Sequence, residues 1–223
     1  MSAETDCIIQ VFAKAPRPGQ VKTRLIPALG ATGAAQLQRR LVEFALDTAR
    51  LSGIRTIELW CAPEARDPAL CQLATAFGAR VHAQGDGDLG ARMGRALAHG
   101  LARAASVVLI GSDGPALTPT DLRCAAGILA AARADTVFVP AEDGGYVLVG
   151  AQRELRIAPG RLFERIPWGS AQVMTATRQR LSMLGVSWIE LPTRWDVDRP
   201  EDLARLRADP RLARLVPAVE PED

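Results

Sequence analysis

Short apolar runs rich in β-branched residues alternate along the chain with longer stretches of helical period, and this alternation constrains the fold most. Four of these runs are CIIQVFA (7–13), TIELWCA (56–62), ARVHAQ (79–84) and SVVLIGSDG (106–114). The stretches between them, rich in Ala, Leu and Arg, predict helices near 32–51, 67–77 and 89–104. Strands that are apolar throughout and separated by helices predict a parallel sheet covered on both faces.

The second half of the chain continues this pattern and adds a hairpin. In LTPTD, Thr118 as N-cap, Pro119 and Asp121 predict a helix start with a capping box. TVFVPAEDGGYVLVG (136–150) predicts two strands around a Gly-Gly turn. A helix near 170–184, a strand VSWIEL and a helix from about residue 200 follow, and the hairpin and the late strand are expected to add antiparallel pairing.

We therefore predict an α/β protein, a single-domain three-layer α/β/α sandwich with a mostly parallel mixed sheet. No long linker or internal repeat divides the chain, so the domain is predicted to span residues 1–223. Its core is expected at about 7–206, with a frayed acidic tail at about 217–223.

Composition argues against several classes of protein. A net charge of +2 and few aromatic residues do not suit nucleic-acid binding. Without a signal peptide or a membrane span of about 20 apolar residues, a cytoplasmic protein is expected. The absence of GxxxxGK[ST] argues against P-loop kinases. His82 and His99 are far apart in sequence and receive no role; four cysteines without CxxC spacing are interpreted as reduced core thiols, namely Cys7, Cys61, Cys71 and Cys124.

The loop after the first strand, within FAKAPRPGQVKTRL (12–25), is crowded with cations. It leaves the carboxyl end of a strand, where open α/β sheets bind their ligands. Two prolines should stiffen it and reduce the entropy lost on holding a ligand, while Gly19 allows it to turn. Arg17 is expected to point to water. The cations that suit a di- or triphosphate, unless they are only solvated loop charges, are Lys14, Lys22 and Arg24.

Carboxylates follow two of the predicted strands. Asp113, next to Ser112, ends a strand that should be buried, where a desolvated and unpaired carboxylate costs several kcal/mol. It is interpreted as a metal ligand, the alternative being an Asp-capped turn. Asp196 and Asp198 share one face of an extended segment. Because Asp198 could instead cap the last helix together with Glu201, Asp196 is preferred as the second metal-side carboxylate.

Two glycine-rich segments are ambiguous between turns and binding loops. On spacing alone EDGGY (142–146) is a plain hairpin turn, but its glycines would let a ligand approach the main chain. In GDGDLGARM (85–93) a helix start could receive an anion or a polar base edge on its free N–H groups. The candidates are Asp143, Gly144, Gly145 and Tyr146 on an acceptor side, and Asp88, Gly90 and Arg92 on the nucleotide side.

Taken in order, six segments resemble the motifs of a bacterial family of glycosyltransferase-like proteins: FAKAPRPGQVKTRL, GDGDLGARM, GSDGPALTP, EDGGYVLVG, IPWGSAQVMTAT and DVDRPEDL. The resemblance covers about residues 7–206. That family, long described in large part as a domain of unknown function, belongs to the nucleotide-diphospho-sugar transferase superfamily with its Rossmann-like GT-A fold. It is similar to the guanylyltransferases that activate phospholactate or phosphoenolpyruvate. Where the family usually has Cys, this chain has Gly114.

The resemblance implies roles for the motif residues. The cations of the first loop would wrap the nucleotide phosphates, and the segment 88–92 would meet the base and ribose. Asp113 would bind the metal in place of a DxD motif, and Asp196 or Asp198 would add a further metal-side carboxylate.

Residues and resemblance together predict a metal-dependent transferase that uses a nucleotide-activated donor, Mg²⁺ or Mn²⁺, and a small-molecule acceptor. NDP-sugar-dependent glycosyl transfer is preferred, with Lys22, Asp113 and Asp143 as catalytic residues and Asp143 as base. One alternative is nucleotidyl transfer from an NTP to a small phosphorylated acceptor, which needs no base. Another is a catalytically silent nucleotide sensor or accessory protein. Lys22→Ala is expected to weaken nucleotide binding and to lower stability by no more than about 1 kcal/mol, as for a surface residue.

Overall fold

The apolar runs pair into one sheet. A computed structural model describes residues 6–218. Within that range the strands are β1 (Cys7–Lys14), β2 (Thr56–Ala62), β3 (Arg80–Ala83), β4 (Ser106–Gly111), β5 (Thr136–Pro140), β6 (Tyr146–Gln152) and β7 (Trp188–Glu190). Their order across the sheet is β3-β2-β1-β4-β6-β5-β7.

The sheet is mixed, with one strand reversed. β6 runs antiparallel to β4 and β5, whereas the pairs β1–β2, β1–β4, β2–β3 and β5–β7 are parallel. The hairpin is therefore confirmed. The expectation that the late strand adds antiparallel pairing is wrong, because the long connection after β6 carries the chain back so that β7 joins β5 in parallel.

Helices fill the connections at the predicted places. Within residues 6–218 they are α1 (Ile26–Leu51), α2 (Pro68–Phe77), α3 (Leu89–Leu101), α4 (Pro119–Ala130), α5 (Val173–Leu184) and α6 (Pro200–Ala208). α1 begins before the predicted residue 32, but Gly30 leaves helical geometry with φ 70, so the predicted span is its regular part. The capping box of Thr118 and Asp121 at the start of α4 is confirmed.

Two buried clusters on opposite faces of the sheet make the three layers. One face packs against α1, α2 and α4, and the other against α3 and α5. A third cluster joins the outer side of α1 to α6 and the segment after it. The predicted three-layer α/β/α sandwich is thus confirmed. Each layer follows from burial of the apolar stripe of a helix against an apolar strand face.

The predictions about the cysteines, a membrane span and the acidic tail can now be compared with the structure. Cys7 and Cys61 are buried, as a core thiol should be, but Cys124 is exposed because it lies on the solvent side of α4. Across residues 6–218, every helix is too short or too polar to traverse a lipid bilayer. Most of the predicted acidic tail, residues 219–223, lies outside the described residues.

Candidate active site

Lys22 joins three segments that are distant in sequence. Its backbone adopts the left-handed conformation, with φ 46, just before a single 3₁₀ turn at Thr23–Leu25. Its ammonium donates to Asp113 Oδ2 at 3.1 Å and to the carbonyl oxygen of Val197 at 2.6 Å. The Lys22 side chain is only 7% exposed, so the expectation that it is a surface residue is wrong. The first loop, the end of β4 and the segment before α6 therefore meet at one buried ammonium.

Asp113 lies at the carboxyl end of β4, and its half-exposed carboxylate faces the junction. Its carbonyl accepts a hydrogen bond from the Val197 N–H at 2.8 Å, which fixes the segment 195–198 beside it. Desolvation opposes ionisation of Asp113, but the charge and hydrogen bond of Lys22 outweigh it and lower the pKa below its ordinary value. Asp113 is thus held as a carboxylate.

Asp196 has the opposite titration behaviour. Burial, then the nearby carboxylates of Asp143 and Asp113, raise its pKa to about 6, although Lys22 works in the other direction. Three acidic side chains from the β4 end, the β5–β6 turn and the segment before α6 therefore lie close enough to repel one another. An excess of negative charge at one point marks a place that would attract a cation.

These groups line a cleft of about 1120 Å³ at the carboxyl ends of β1 and β4. The predicted residues that line it are Lys14, Lys22, Arg24, Asp88, Arg92, Ser112, Asp113, Asp143, Gly145, Tyr146, Asp196 and Asp198. Ser112 is buried, with its hydroxyl 3.4 Å from the amide nitrogen of Gln38, and Lys14 is exposed. Predicted residues from five separate stretches of sequence are brought to one surface.

Both arginines of the first loop make ion pairs, but only Arg24 does so inside the cleft, while Arg17 pairs outside it. Arg24 pairs with Asp198 inside the cleft, and both side chains remain accessible. Arg17 does not point free into water as expected. It pairs with Glu64 and, at 3.0 Å, with Asp67, the N-cap of α2, because the loop folds over the end of β2.

The capping of α6 differs from the sequence interpretation. Asp198 is not the N-cap; that position is taken by Arg199. The carboxylate of Asp202 instead accepts hydrogen bonds from the N–H groups of Asp198 at 2.9 Å and Arg199 at 2.7 Å. Asp198 is therefore free of a capping role, and its carboxylate faces Arg24.

The loop before α3 forms one wall of the cleft. Asp88 is the N-cap of α3 and accepts from the Ala91 N–H at 2.8 Å, while Arg92 Nε donates to the carbonyl of Gly87 at 2.9 Å. Gly90 lies behind this wall, since a Cβ there would stand 2.9 Å from Trp168 Nε1. Its role is close packing, and no side of it faces the cleft.

The β5–β6 turn contributes Asp143 but only part of the predicted acceptor side. Asp143 is exposed and accepts from the Gly145 N–H at 2.8 Å. Gly144 has φ 91 and is packed away from the cleft, because a Cβ would lie 2.1 Å from the carbonyl oxygen of Ala171. The Tyr146 hydroxyl is buried, and burial raises its pKa, so the phenol offers the cleft its ring and not its oxygen.

The remaining predicted glycines act through backbone conformation or packing. Gly19 adopts φ 76 with open space around it, in keeping with a turn in the first loop. Gly114 packs beneath Val147, since a Cβ at position 114 would stand 3.1 Å from the Cβ of Val147. Gly111 is more directly tied to the site, since a Cβ there would be 2.8 Å from Asp113 Oδ1.

Sequence reasoning missed several residues of the cleft. Arg205 on α6 lies over the Trp195 ring at 4.5 Å and pairs with Glu142 at 2.7 Å, closing one end of the cleft. Gln84, also on the lining, is buried and donates to the carbonyl of Trp60 at 2.9 Å. The tryptophan just before the acidic pair was a usable signal. Gln84, a single buried amide at the end of an apolar run, gives no such signal.

The cleft carboxylates fit a hard divalent cation, because Mg²⁺ and Mn²⁺ need only one or two carboxylates when substrate phosphates supply further oxygens. They are not the tightest donor cluster. Among residues 6–218, the three donors that approach within 4.8 Å of one another belong to Glu58, His82 and His99. The two histidines, which received no role from sequence, are therefore neighbours in the fold.

Comparison with known structures supports the fold. A protein from Desulfovibrio desulfuricans G20, provisionally assigned as a nucleotide-diphospho-sugar transferase, has a TM-score of 0.82 and 28% identity, covering 92% of this chain and 88% of that one. A cytidylyltransferase from Leptospira borgpetersenii has a TM-score of 0.59 and 14% identity, covering 89% of this chain and 83% of that one.

A third similar structure is glucosyl-3-phosphoglycerate synthase from Mycobacterium tuberculosis, solved with Mn²⁺, UDP and glucosyl-3-phosphoglycerate. Its TM-score is 0.56 and its identity 15%, with 92% of this chain and 76% of that chain covered. At such identities the likeness of this structure and of the cytidylyltransferase concerns the fold alone.

Among curated proteins, none matches the sequence significantly. Residues 45–170, more than half of the chain, match the profile of a family described as an uncharacterized protein conserved in bacteria. The chain therefore belongs to that bacterial family, DUF2064.

Proposed function

We propose that this protein is a divalent-metal-dependent transferase that takes the transferred group from a nucleotide-activated donor. The observation that carries the proposal is the meeting of Lys22, Asp113 and Asp196 in one cleft at the carboxyl ends of the strands. Had Lys22 and Asp113 faced opposite sides of the molecule, the hypothesis of a shared pyrophosphate site would have failed. The fold shared with the Desulfovibrio protein supports the same class of activity.

The basic side of the cleft suits the phosphates of the donor. Lys14 is exposed, and Arg24 and Arg92 keep donors accessible at its wall. Arg24 would exchange Asp198 for phosphate oxygens, to which a guanidinium can donate two parallel hydrogen bonds. Lys22 is less available, so we assign it to holding Asp113 ionised and to supplying fixed positive charge beside the phosphates.

The acidic side suits the cation. Asp113 and Asp196 would hold Mg²⁺ or Mn²⁺, with Asp198 as a further candidate ligand. A bound cation of this kind neutralises charge on phosphate oxygens as a leaving group departs. A carboxyl group driven towards protonation by burial and by neighbouring carboxylates, as Asp196 is, has its ionised form stabilised by such an ion. The Mn²⁺ and UDP of the glucosyl-3-phosphoglycerate synthase complex support the same donor chemistry.

For the transferred group we favour a glycosyl residue. Asp143 is exposed at the mouth of the cleft and near Asp196, where it can take the proton of an acceptor hydroxyl. The acceptor oxygen would then bond to the anomeric carbon of the sugar while the nucleoside diphosphate leaves with the electrons of the broken bond. Gly145 and the ring of Tyr146 would contact the acceptor.

Nucleotidyl transfer is the second candidate. Besides the first-loop cations, Arg199 and Arg205 also line the cleft, and this much positive charge suits a triphosphate and an anionic acceptor. The fold of the cytidylyltransferase is compatible with that reaction. A silent nucleotide sensor is a third reading. It is disfavoured because a binding protein has no need of mutually repelling carboxylates such as Asp113 and Asp196.

Thermal denaturation with a panel of nucleotides, with and without Mg²⁺ or Mn²⁺, tests the proposal. We expect metal-dependent stabilisation in the wild type and its loss in Asp113→Ala. Asp47→Ala should behave as wild type, because Asp47 is a half-buried acidic residue on α1, paired with Arg50, that does not line the cleft. Stabilisation by NDP-sugars would favour glycosyl transfer, and by NTPs nucleotidyl transfer. Nucleotide binding that ignores metal in both wild type and Asp113→Ala would favour the sensor and contradict the proposal.

A further inference from the structure

A buried carboxylate outside the cleft has no part in the proposed transferase chemistry. Glu58 lies in the interior of β2, next to Gln10 of β1, and is fully buried. Its Oε2 accepts hydrogen bonds from Gln10 Nε2 at 3.0 Å and from Trp60 Nε1 at 3.1 Å. Its Oε1 faces Arg103 and His82. A charge in this position of a parallel sheet is expensive unless it is paired and hydrogen-bonded, as Glu58 is through Arg103, Gln10 and Trp60.

Two imidazoles converge on Glu58 from different elements. His82 comes from β3 and stacks on the Trp60 ring, with centroids 4.9 Å apart and an interplanar angle of 18°. His99 comes from α3, is exposed, and meets His82 edge-on at 4.8 Å. Trp60 also touches His99, at 5.5 Å, so one indole orients both rings.

The nitrogen of His82 that faces Glu58 has no hydrogen-bond partner. His82 Nε2 is buried, and it lies 3.5 Å from Glu58 Oε1, too far for a good hydrogen bond. Two ligands held at about 2.1 Å from one ion at the tetrahedral angle are separated by about 3.4 Å. The gap between His82 and Glu58 therefore has the width that a shared metal ion spans.

We propose that Glu58, His82 and His99 form a second metal site, for a first-row transition ion such as Zn²⁺, distinct from the cleft. The donor atoms of the three residues already lie within 4.8 Å of one another, and the exposed His99 can close the remaining distance by side-chain rotation. Two imidazoles and one carboxylate are the ligand types that such ions prefer, whereas Mg²⁺ prefers oxygen alone.

The protonation states of the ligands suit metal binding. Burial lowers the pKa of His82, so its ring is neutral near pH 7, and the pKa of Glu58 is also lowered because hydrogen bonds from Arg103, Trp60 and Gln10 outweigh desolvation. Arg103 competes for Oε1, but a carboxylate oxygen has two lone pairs and can serve both partners. An ion here would tie β2, β3 and α3 together.

Calorimetric titration of untagged, chelator-treated protein with Zn²⁺ tests the site. We expect one high-affinity equivalent, a higher thermal midpoint with Zn²⁺, and an affinity at least about tenfold lower in His99→Gln and in His82→Gln. His99→Gln is the primary variant, because an exposed residue can be replaced without loss of the fold. Cys124→Ser and Asp113→Asn serve as controls, since an exposed thiol and the cleft are the competing places for a metal, and both should bind Zn²⁺ as the wild type does.

NMR provides a readout that does not depend on variants. The chain has two histidines, so two imidazole spin systems are expected, and both should shift when one equivalent of Zn²⁺ is added. Unshifted imidazoles, an affinity unchanged in both histidine variants, or binding abolished by Cys124→Ser or Asp113→Asn would each overturn the proposal.

Discussion

Replacing Asp196 with Asn should stabilise the protein near neutral pH, although it removes a candidate metal ligand. Asp196 is partly buried beside Asp113 and Asp143, and its pKa is raised from 3.8 to about 6. A carboxyl group whose pKa is higher in the folded than in the unfolded protein binds its proton more tightly in the folded state. Stability therefore falls as the pH rises from about 4 to about 6, and the full loss applies above that range.

The size of the effect follows from the two pKa values. Each tenfold difference in proton affinity corresponds to about 1.4 kcal/mol, so the raised pKa of Asp196 sets an upper limit of about 3 kcal/mol. Solvent screening in an open cleft reduces this, and we expect Asp196→Asn to raise the free energy of unfolding by about 1–2 kcal/mol at neutral pH. Near pH 4 the gain should vanish, because Asp196 is then protonated in the folded wild type.

Urea denaturation of the wild type and Asp196→Asn across this pH range measures the gain directly. Asp198→Asn is the matched control, because Asp198 lies two residues away but pairs with Arg24 and is 43% exposed. Its substitution should change stability by less than about 1 kcal/mol, without a gain at neutral pH. An Asp196→Asn variant no more stable than wild type at neutral pH, or a gain that persists to pH 4, would refute this account of the repelling carboxylates.

Three further substitutions test the construction of the site. Lys22→Met should lower the free energy of unfolding by about 1–3 kcal/mol in urea denaturation and raise the pKa of Asp113 measured by carboxyl NMR, because the Lys22 side chain is buried against that carboxylate. A loss of stability below about 0.5 kcal/mol would restore the interpretation of Lys22 as a surface residue. Gly111→Ala should displace the Asp113 carboxylate and weaken Mn²⁺ binding, measured by calorimetry, at least about tenfold, whereas the control Gly127→Ala, on the open side of α4, should leave binding unchanged. Equal Mn²⁺ affinities of Gly111→Ala and the wild type would contradict the argument. Gly144→Ala should lower the free energy of unfolding by more than about 2 kcal/mol, since its Cβ would overlap a main-chain carbonyl oxygen; a neutral result would show that the turn moves freely.

The fold was predictable because its signals are local and repeated. Each apolar run became a strand, and helical spacing placed each helix to within a few residues, as in α2 and α4. The direction of β7 was not predictable from its own residues, since it depends on which edge a long connection reaches. Local patterns specify elements, while pairing is decided by the packing of the whole chain.

The candidate site was only partly predictable, for a related reason. Residue type and position after a strand pointed to Asp113 and Lys22, and the structure places them 3.1 Å apart. Their burial could not be read from sequence, because Val197 and the rest of the junction come from the far end of the chain. His82 and His99 show the same limit, since their proximity follows from the contact of α3 with the sheet and not from spacing.

The charge balance of the cleft makes nucleotide and metal binding interdependent. Lys22 compensates Asp113 but does not offset the burial and repulsion that raise the pKa of Asp196 to about 6. Phosphates added without a cation would increase the negative charge and raise that pKa further, so that binding near neutral pH should take up a proton. A divalent ion between the phosphates and Asp196 would instead lower the pKa of Asp196. Calorimetry in buffers of different ionisation enthalpy should therefore show proton uptake on nucleotide binding without Mg²⁺ and none with it, and a binding step that is proton-neutral in both cases would mean that Asp196 does not face the phosphates.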